Sequence, residues 1–420
     1  MRFTGFFLLL CLVWPLPLLS QPQSSEQPVN TTLAGHQESP AIAKDQAGNF
    51  IITWVSDSQD DGLPGVYARR YNQNGLPLAP EFQVNSFWAP HERPRAAMAP
   101  NGGFVITWVN HWIEGATGGG IAARVFDTAG NPLGPEFQIN QYEPGFQGDP
   151  AVATDSLGYF VITWQSWRED DSFDIYARLF DDRGIPRSDE FRINSFTQDN
   201  QTRPCVAMDN SGNFVVAWTS FGQDGDETGI YARRLDRDGR FLSEESRVNF
   251  ATQGRQEHPA ICMDALGNFI VCWQSAFWNE DLYDVFARTF DYTGQLKGPE
   301  FRVNNLSEAW QLFPAIDCDA QGRFVVTWQG SDPADDSFVI YVRQFDQYGE
   351  PLQQETRINS FTDSRQISPQ IVVLFPQTFC AAWQSQHSPE TGWDIYHRIY
   401  QGSASLKARS KTRIQKRYDE

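Results

Sequence analysis

An indole ring beside a carboxylate can recognise a sugar: the ring covers the apolar face of a pyranose while the acid accepts hydrogen bonds from its hydroxyls. The 420-residue chain offers this combination at Trp112, Trp167, Trp278 and Trp393, and Trp88, Phe221 and Trp310 stand at comparable places. The acids nearby form clusters: Asp60-Asp61, Asp170-Asp171-Asp174, Asp224-Gly225-Asp226-Glu227, Glu280-Asp281-Asp284 and Asp332-Asp335-Asp336. Ca²⁺ takes about six to eight oxygens, and no cluster has the full DxDxDG loop with its terminal Glu. Asp224 and Asp226 are the best start for a Ca²⁺ site, with solvated Asx turns as the alternative; no other cofactor is implied. The six His show no metal-ligand spacing, and neither GxSxG nor a Gly-rich phosphate loop is present.

These residues need a scaffold, and internal repetition supplies it. FxxxW occurs seven times, from Phe50/Trp54 to Phe379/Trp383, at intervals of 54 to 56 residues. A proline precedes each Phe by ten residues (Pro40, Pro94, Pro150, Pro204, Pro259, Pro314, Pro369). Such a period marks a solenoid, a propeller or an array. Each repeat holds four short strand signals, A to D, with a DxxG turn between A and B and another between C and D. Asp bonds its own backbone there and Gly takes positive φ. Strand B, as in Phe160 to Trp164, is apolar on both faces and fits a sheet packed on both sides.

The last repeat lacks strand D, and Val29-Asn30 near the other end matches the missing segment. The expectation is therefore an all-β, seven-bladed β-propeller of four antiparallel strands per blade, with the ring closed by the N-terminal strand. An open β solenoid is the alternative. An Arg follows each FxxxW Trp by 14 to 16 residues, and a Glu follows each of the first six by 12, with Glu26 replacing the seventh. Arg and Glu should face each other across the C–D hairpin as structural pairs. Gln37, His91, Gln147, Gln201, Gln256, Gln311 and Gln366, three before each Pro, should bond backbone groups. Strand A should line the axis with small residues; Arg95, Asp317 and Gln370 break that pattern, so Arg95 and Asp317 are candidates for an axial polar site.

The run GNFVVAW at 212–218, followed by GIYARRLDRDG at 229–239, resembles repeats in secreted bacterial surface and adhesin-like proteins. The resemblance covers Gln27 to about Tyr400; those repeats typically read YAQRFD, whereas Arg comes one place earlier here, as in Tyr176-Ala177-Arg178. It implies export and a binding or structural role, with no catalytic residues to carry over.

Residues 1–20 read as a signal peptide, with Arg2 before the apolar run Phe6 to Val13 and a cleavage site after Ser20. Residues 21–400 then form the propeller and 401–420 a basic, flexible C-terminal tail; secretion or the cell envelope follows. A net charge of -19 argues against a nucleic-acid partner, and no later segment could span a membrane. Five Cys remain after residue 20, too few and too odd in number for a disulfide scaffold. Cys262 and Cys272 should stand opposite each other across the turn at Gly267, as a disulfide or as two buried thiols.

Function is then expected to be non-catalytic binding of an extracellular glycan or protein through the variable loop face, with Trp112, Trp167, Trp278, Trp393, Arg95 and Asp317 as ligand contacts and no metal. The alternatives are a glycan-cleaving hydrolase with loop-face carboxylates and a purely structural envelope module. The DxxG turns lack the Ser of a sialidase Asp-box.

Overall fold

A computed structural model describes residues 21–401 apart from 23, 61, 88, 112–118, 169–171, 277–281, 306–308, 332–336, 363, 376 and 389–391. The expected signal peptide, most of the basic tail, and Trp88, Trp112 and Trp278 lie outside the described residues. Among the described residues every regular element is a strand.

The repeats fold as antiparallel A-B-C-D sheets. In the third, Gln147–Thr154, Phe160–Trp167, Phe173–Phe180 and Phe191–Arg192 pair in that order. The fourth and fifth repeats share one sheet through a single parallel pairing, Thr228 to Arg255. The DxxG turns work as their composition predicts: Asp155 Oδ1 accepts the N–H groups of Leu157 and Tyr159 at 2.8 and 2.9 Å, and Gly158 has φ 84°.

The cores lie between sheets. All seven FxxxW tryptophans are among the most deeply buried side chains. Trp164 packs with Val105 and Ile121 of the preceding repeat, and Trp54 of the first packs with Val372, Cys380 and Ile395 of the last. This explains why strand B is apolar on both faces, since it has a sheet on either side.

The N-terminal segment completes the last sheet. Gln27–Pro28 pairs with Tyr396 and His397, and Val29 N–H donates to Ile395 O at 2.8 Å. Asn30 Oδ1 accepts Ile395 N–H at 2.8 Å, as Asn194 Oδ1 accepts Ile175 N–H within the third sheet.

The Arg and Glu couples differ from expectation. Each Arg reaches back some 40 residues to a carbonyl of the preceding sheet: Arg124 to Val84 O at 3.0 Å, Arg233 to Ile193 O at 2.9 Å, and Arg69 to Val29 O at 2.9 Å. Each Glu accepts N–H groups from the same neighbour, as Glu136 does from Ser86 and Phe87. Among the described residues only Arg398 and Glu26 come within ion-pair range of each other, at 3.8 Å. Sheet-to-sheet stacking presents unpaired carbonyls and N–H groups that a side chain of the next sheet satisfies, and a charged hydrogen bond of this kind contributes about 1.5–3 kcal/mol.

Cys262 and Cys272 are not opposite each other. The turn closes through Asp264 and Asn268, which sets Met263 against Phe269, Cys262 against Ile270, and Ala260 against Cys272. Both are free thiols. Cys262 instead lies beside Cys318 of the next sheet, and burial pushes its thiol well above the usual range.

Candidate functional site

Strand A of every repeat breaks its pairing at the same step. The register shifts between Glu38 and Ala41, Glu92 and Arg95, Gly148 and Ala151, and so on around the repeats. The residue before each repeat proline is left-handed: Ser39 (φ 55°), Arg93 (51°), Asp149 (48°), Arg203 (54°), His258 (53°), Phe313 (51°) and Ser368 (54°). A side chain there is strained, and a following proline restricts the backbone further. The bulge aims these side chains out of the sheet at the end where the D–A and B–C connections run.

The ring of Gln residues holds this rim. Gln201 Oε1 accepts the Trp218 indole N–H at 3.1 Å, and its amide donates to Gln198 O at 3.4 Å. In the second repeat His91 takes that place, bonding Phe87 O at 3.1 Å, and the Trp108 indole N–H has no protein partner among the described residues. A second set of glutamines, directly after the core Trp, holds the bulge from the neighbouring sheet. Gln165, Gln274, Gln329 and Gln384 accept the N–H groups of Arg203, Phe313, Ser368 and Ser39 at 2.9 to 3.3 Å. The last of these joins the seventh repeat to the first. Val55, Val109 and Thr219 stand where a glutamine would meet Arg93, Asp149 and His258.

The rim residues meet one another. Arg93 bonds Asp149 across two repeats, and Arg203 stands 3.9 Å from Glu257. His258 meets Phe313 edge-on at 4.5 Å. Burial, with Arg203 and Arg93 adding like charge, lowers the His258 imidazole to a pKa of about 3. Glu38, one residue before Ser39, has its carboxyl pushed above the usual range by burial; His36 opposes the shift and Asp57 adds to it.

Of the expected contacts, Arg95 and Asp317 are half-buried on strand A, whose Ala43 and Ala153 pack with the second and fourth repeats. Burial lowers the pKa of Arg95, with Asp149 opposing the shift and Arg93 adding to it. Asp317 bonds the Lys44 ammonium of the first repeat and accepts Val373 N–H of the seventh at 2.6 Å. Trp167 is half-buried and packs edge-on against Phe173 at 5.0 Å, which caps the end of its sheet; Trp393 is also half-buried. The acids Asp174 and Asp284 bond the strand D residues Asn194 and Asn304 and are structural. Asp226 accepts Gly254 N–H at 3.0 Å and its own N–H reaches Asp224 at 3.4 Å. Among the described residues no three His, Cys, Asp or Glu converge as a metal site. The rim itself was absent from the sequence reading, although one signal existed: the position before proline is the least repetitive in strand A.

No family model matches the chain, and no curated protein sequence matches it. Among solved structures, a protein of unknown function from Dyadobacter fermentans DSM 18053 is similar with TM-score 0.52 and 10% identity over 91% of this chain and 99% of that one. NanB plus Optactamide has TM-score 0.50 and 8% identity, covering 91% of this chain and 70% of that one. An α-L-arabinanase of Penicillium chrysogenum, complexed with arabinobiose, has TM-score 0.47 and 11% identity, covering 93% of this chain and the whole of that one. The fold is all-β and β-propeller-like. The expectation of a non-catalytic binding module is corrected here: the solved structures similar to this fold include the arabinanase above and an α-L-arabinofuranosidase of Fusarium graminearum. At these identities the likeness concerns the fold, and any reaction must be argued from the residues of the rim.

Proposed function

We propose that the seven repeats are the blades of a closed β-propeller, and that the chain is an exported hydrolase that cleaves glycans at the strand A rim. Closure is supported by three links between the ends of the chain: Arg69 to Val29, Gln384 to Ser39, and Glu26 to Ser360. Export, and kinship with repeats of secreted bacterial surface proteins, are part of the same proposal, with an extracellular glycan as partner.

One observation supports the reaction most directly. Seven positive-φ positions recur at the same bulge of strand A, yet the side chains they hold vary more than the buried residues around them. Strained backbone positions cluster at active sites and ligand clamps, and we read this ring of varied side chains as such a site. Glycoside hydrolysis needs one carboxyl that keeps its proton and a second carboxylate across the scissile bond. Glu38 has the raised carboxyl for the first role, protonating the leaving oxygen. Asp149, its carboxylate fixed by the Arg93 guanidinium, is assigned the second, and Phe313, 42% exposed, supplies an apolar platform for a ring.

A panel of plant, bacterial and host polysaccharides incubated with the protein tests this by release of reducing ends. Cleavage should disappear in Glu38→Gln while the fold survives. A wild-type protein that cleaves nothing, or a Glu38→Gln variant with undiminished turnover, refutes it.

A further inference from the structure

The rim departs from sevenfold regularity along one arc. Repeats two to five place Arg93, Asp149, Arg203 and His258 at the left-handed position; repeats six, seven and one place Phe313, Ser368 and Ser39 there. We propose that the charged arc binds an anionic substituent of the glycan, a carboxylate, sulfate or phosphate group, held between Arg93 and Arg203 against His258. The inference rests on the hydrolase reading and narrows its substrates to acidic glycans.

Arg203 gives the strongest reason. A structural arginine in this protein is saturated: Arg233 donates to Ser243 O, Ile193 O and Ser195 Oγ. The Arg203 guanidinium donates no hydrogen bond to the protein among the described residues, and the carboxylate nearest it, Glu257, is 3.9 Å away. Its donors form a planar fork suited to two oxygens of one anion.

The surroundings favour an anion as well. Arg95 feels the charges of both Asp149 and Arg93, so the three guanidiniums of Arg93, Arg95 and Arg203 share the arc with the carboxylates Asp149, Glu257 and Glu92, the last 3.2 Å from His111. His258 donates and accepts no hydrogen bond among the described residues, and two arginines near it oppose a third positive charge on its ring. An anion at this point relieves the repulsion among these groups. In a chain of net charge -19, an arc where guanidiniums equal carboxylates is a departure from the acidic background.

Calorimetric titration of the full mature protein with trigalacturonate, with a sulfated disaccharide and with neutral galactobiose tests the arc. At least one anionic probe should bind roughly tenfold tighter than the neutral one, the scale of one charged hydrogen bond, and Arg203→Gln should remove that preference. A preference for one anionic probe over the other identifies the substituent. Should Arg203→Gln fail to fold, the wild-type salt dependence decides: raising ionic strength from about 0.05 to 0.5 M should weaken the anionic probe alone. Equal affinity for neutral and anionic probes, or a preference that survives in Arg203→Gln, overturns the proposal. Reducing-end release from the same sugars separates the two ideas. Selective binding without cleavage counts against hydrolysis, whereas cleavage of the neutral sugar without preference counts against the anion site.

Discussion

Replacing Arg203 by glycine should separate strain from function at the rim. The residue sits at φ 54° directly before Pro204, in a region that costs a side chain about 1–2 kcal/mol. Glycine removes that cost but loses about 0.5–1 kcal/mol through its freer unfolded chain. The only ion pair lost is the one with Glu257, at 3.9 Å with Arg203 41% exposed, a geometry that contributes under about 1 kcal/mol. The N–H bond to Gln165 Oε1 at 3.0 Å is made by the backbone and survives. The sum lies between about -1 and +1.5 kcal/mol and centres near zero, so the variant should be about as stable as the parent. Ser368→Gly, on the uncharged side, relieves the same strain without losing an ion pair, and should gain up to about 1.5 kcal/mol. Urea unfolding measures both, and reducing-sugar release on acidic glycans measures activity. Arg203→Gly should lose about tenfold or more in kcal-scale terms of one charged hydrogen bond, and Ser368→Gly should stay within about twofold. A loss of more than about 2 kcal/mol in Arg203→Gly would show that the side chain holds the fold, and the strain argument would fall.

Gln311→Met should cost about 2–4 kcal/mol, because it orphans the Trp328 indole N–H, now bonded at 2.7 Å, and the Ala309 carbonyl; a urea midpoint equal to the parent's would contradict this. Deleting residues 21–31 strips the last sheet of its edge cover, and light scattering should detect association; a monomer of unchanged melting temperature counts against closure. His258 and His397 have imidazoles lowered to about 3 and about 4, so the unfolded chain binds protons more tightly than the native one. Their contribution is full above pH of about 6.5 and is lost as pH falls towards those values, and His258→Gln should flatten the acid limb of stability. For Glu38 the sign reverses: its raised carboxyl stabilises the native state at low pH, and that contribution declines as pH climbs through the raised value, a dependence Glu38→Gln should abolish. Thiol labelling of the unfolded, non-reduced protein should find Cys262 and Cys272 both free; a mass lower by one disulfide would reverse that assignment.

Much of the fold was legible because it is local and repeated. The period of FxxxW, the DxxG turns and the doubly apolar strand B each follow from residues a few places apart, and the match of Val29-Asn30 to later strand D segments placed the N-terminal strand in the last sheet from pattern alone. The polar residues three before each Pro, six Gln and His91, were likewise read correctly as backbone partners, since a polar residue buried in every repeat must be satisfied inside. What failed was everything that depends on a neighbouring sheet. Arg and Glu share a hairpin in sequence, yet bind the preceding sheet, because stacking supplies acceptors that no single repeat contains. The facing of Cys262 and Cys272 was missed by two residues of register, which the turn geometry sets. The rim depended most on tertiary structure: positive φ before proline is unfavourable for an isolated chain, and it persists here because packing and glutamines from the adjoining sheet hold the bulge in place.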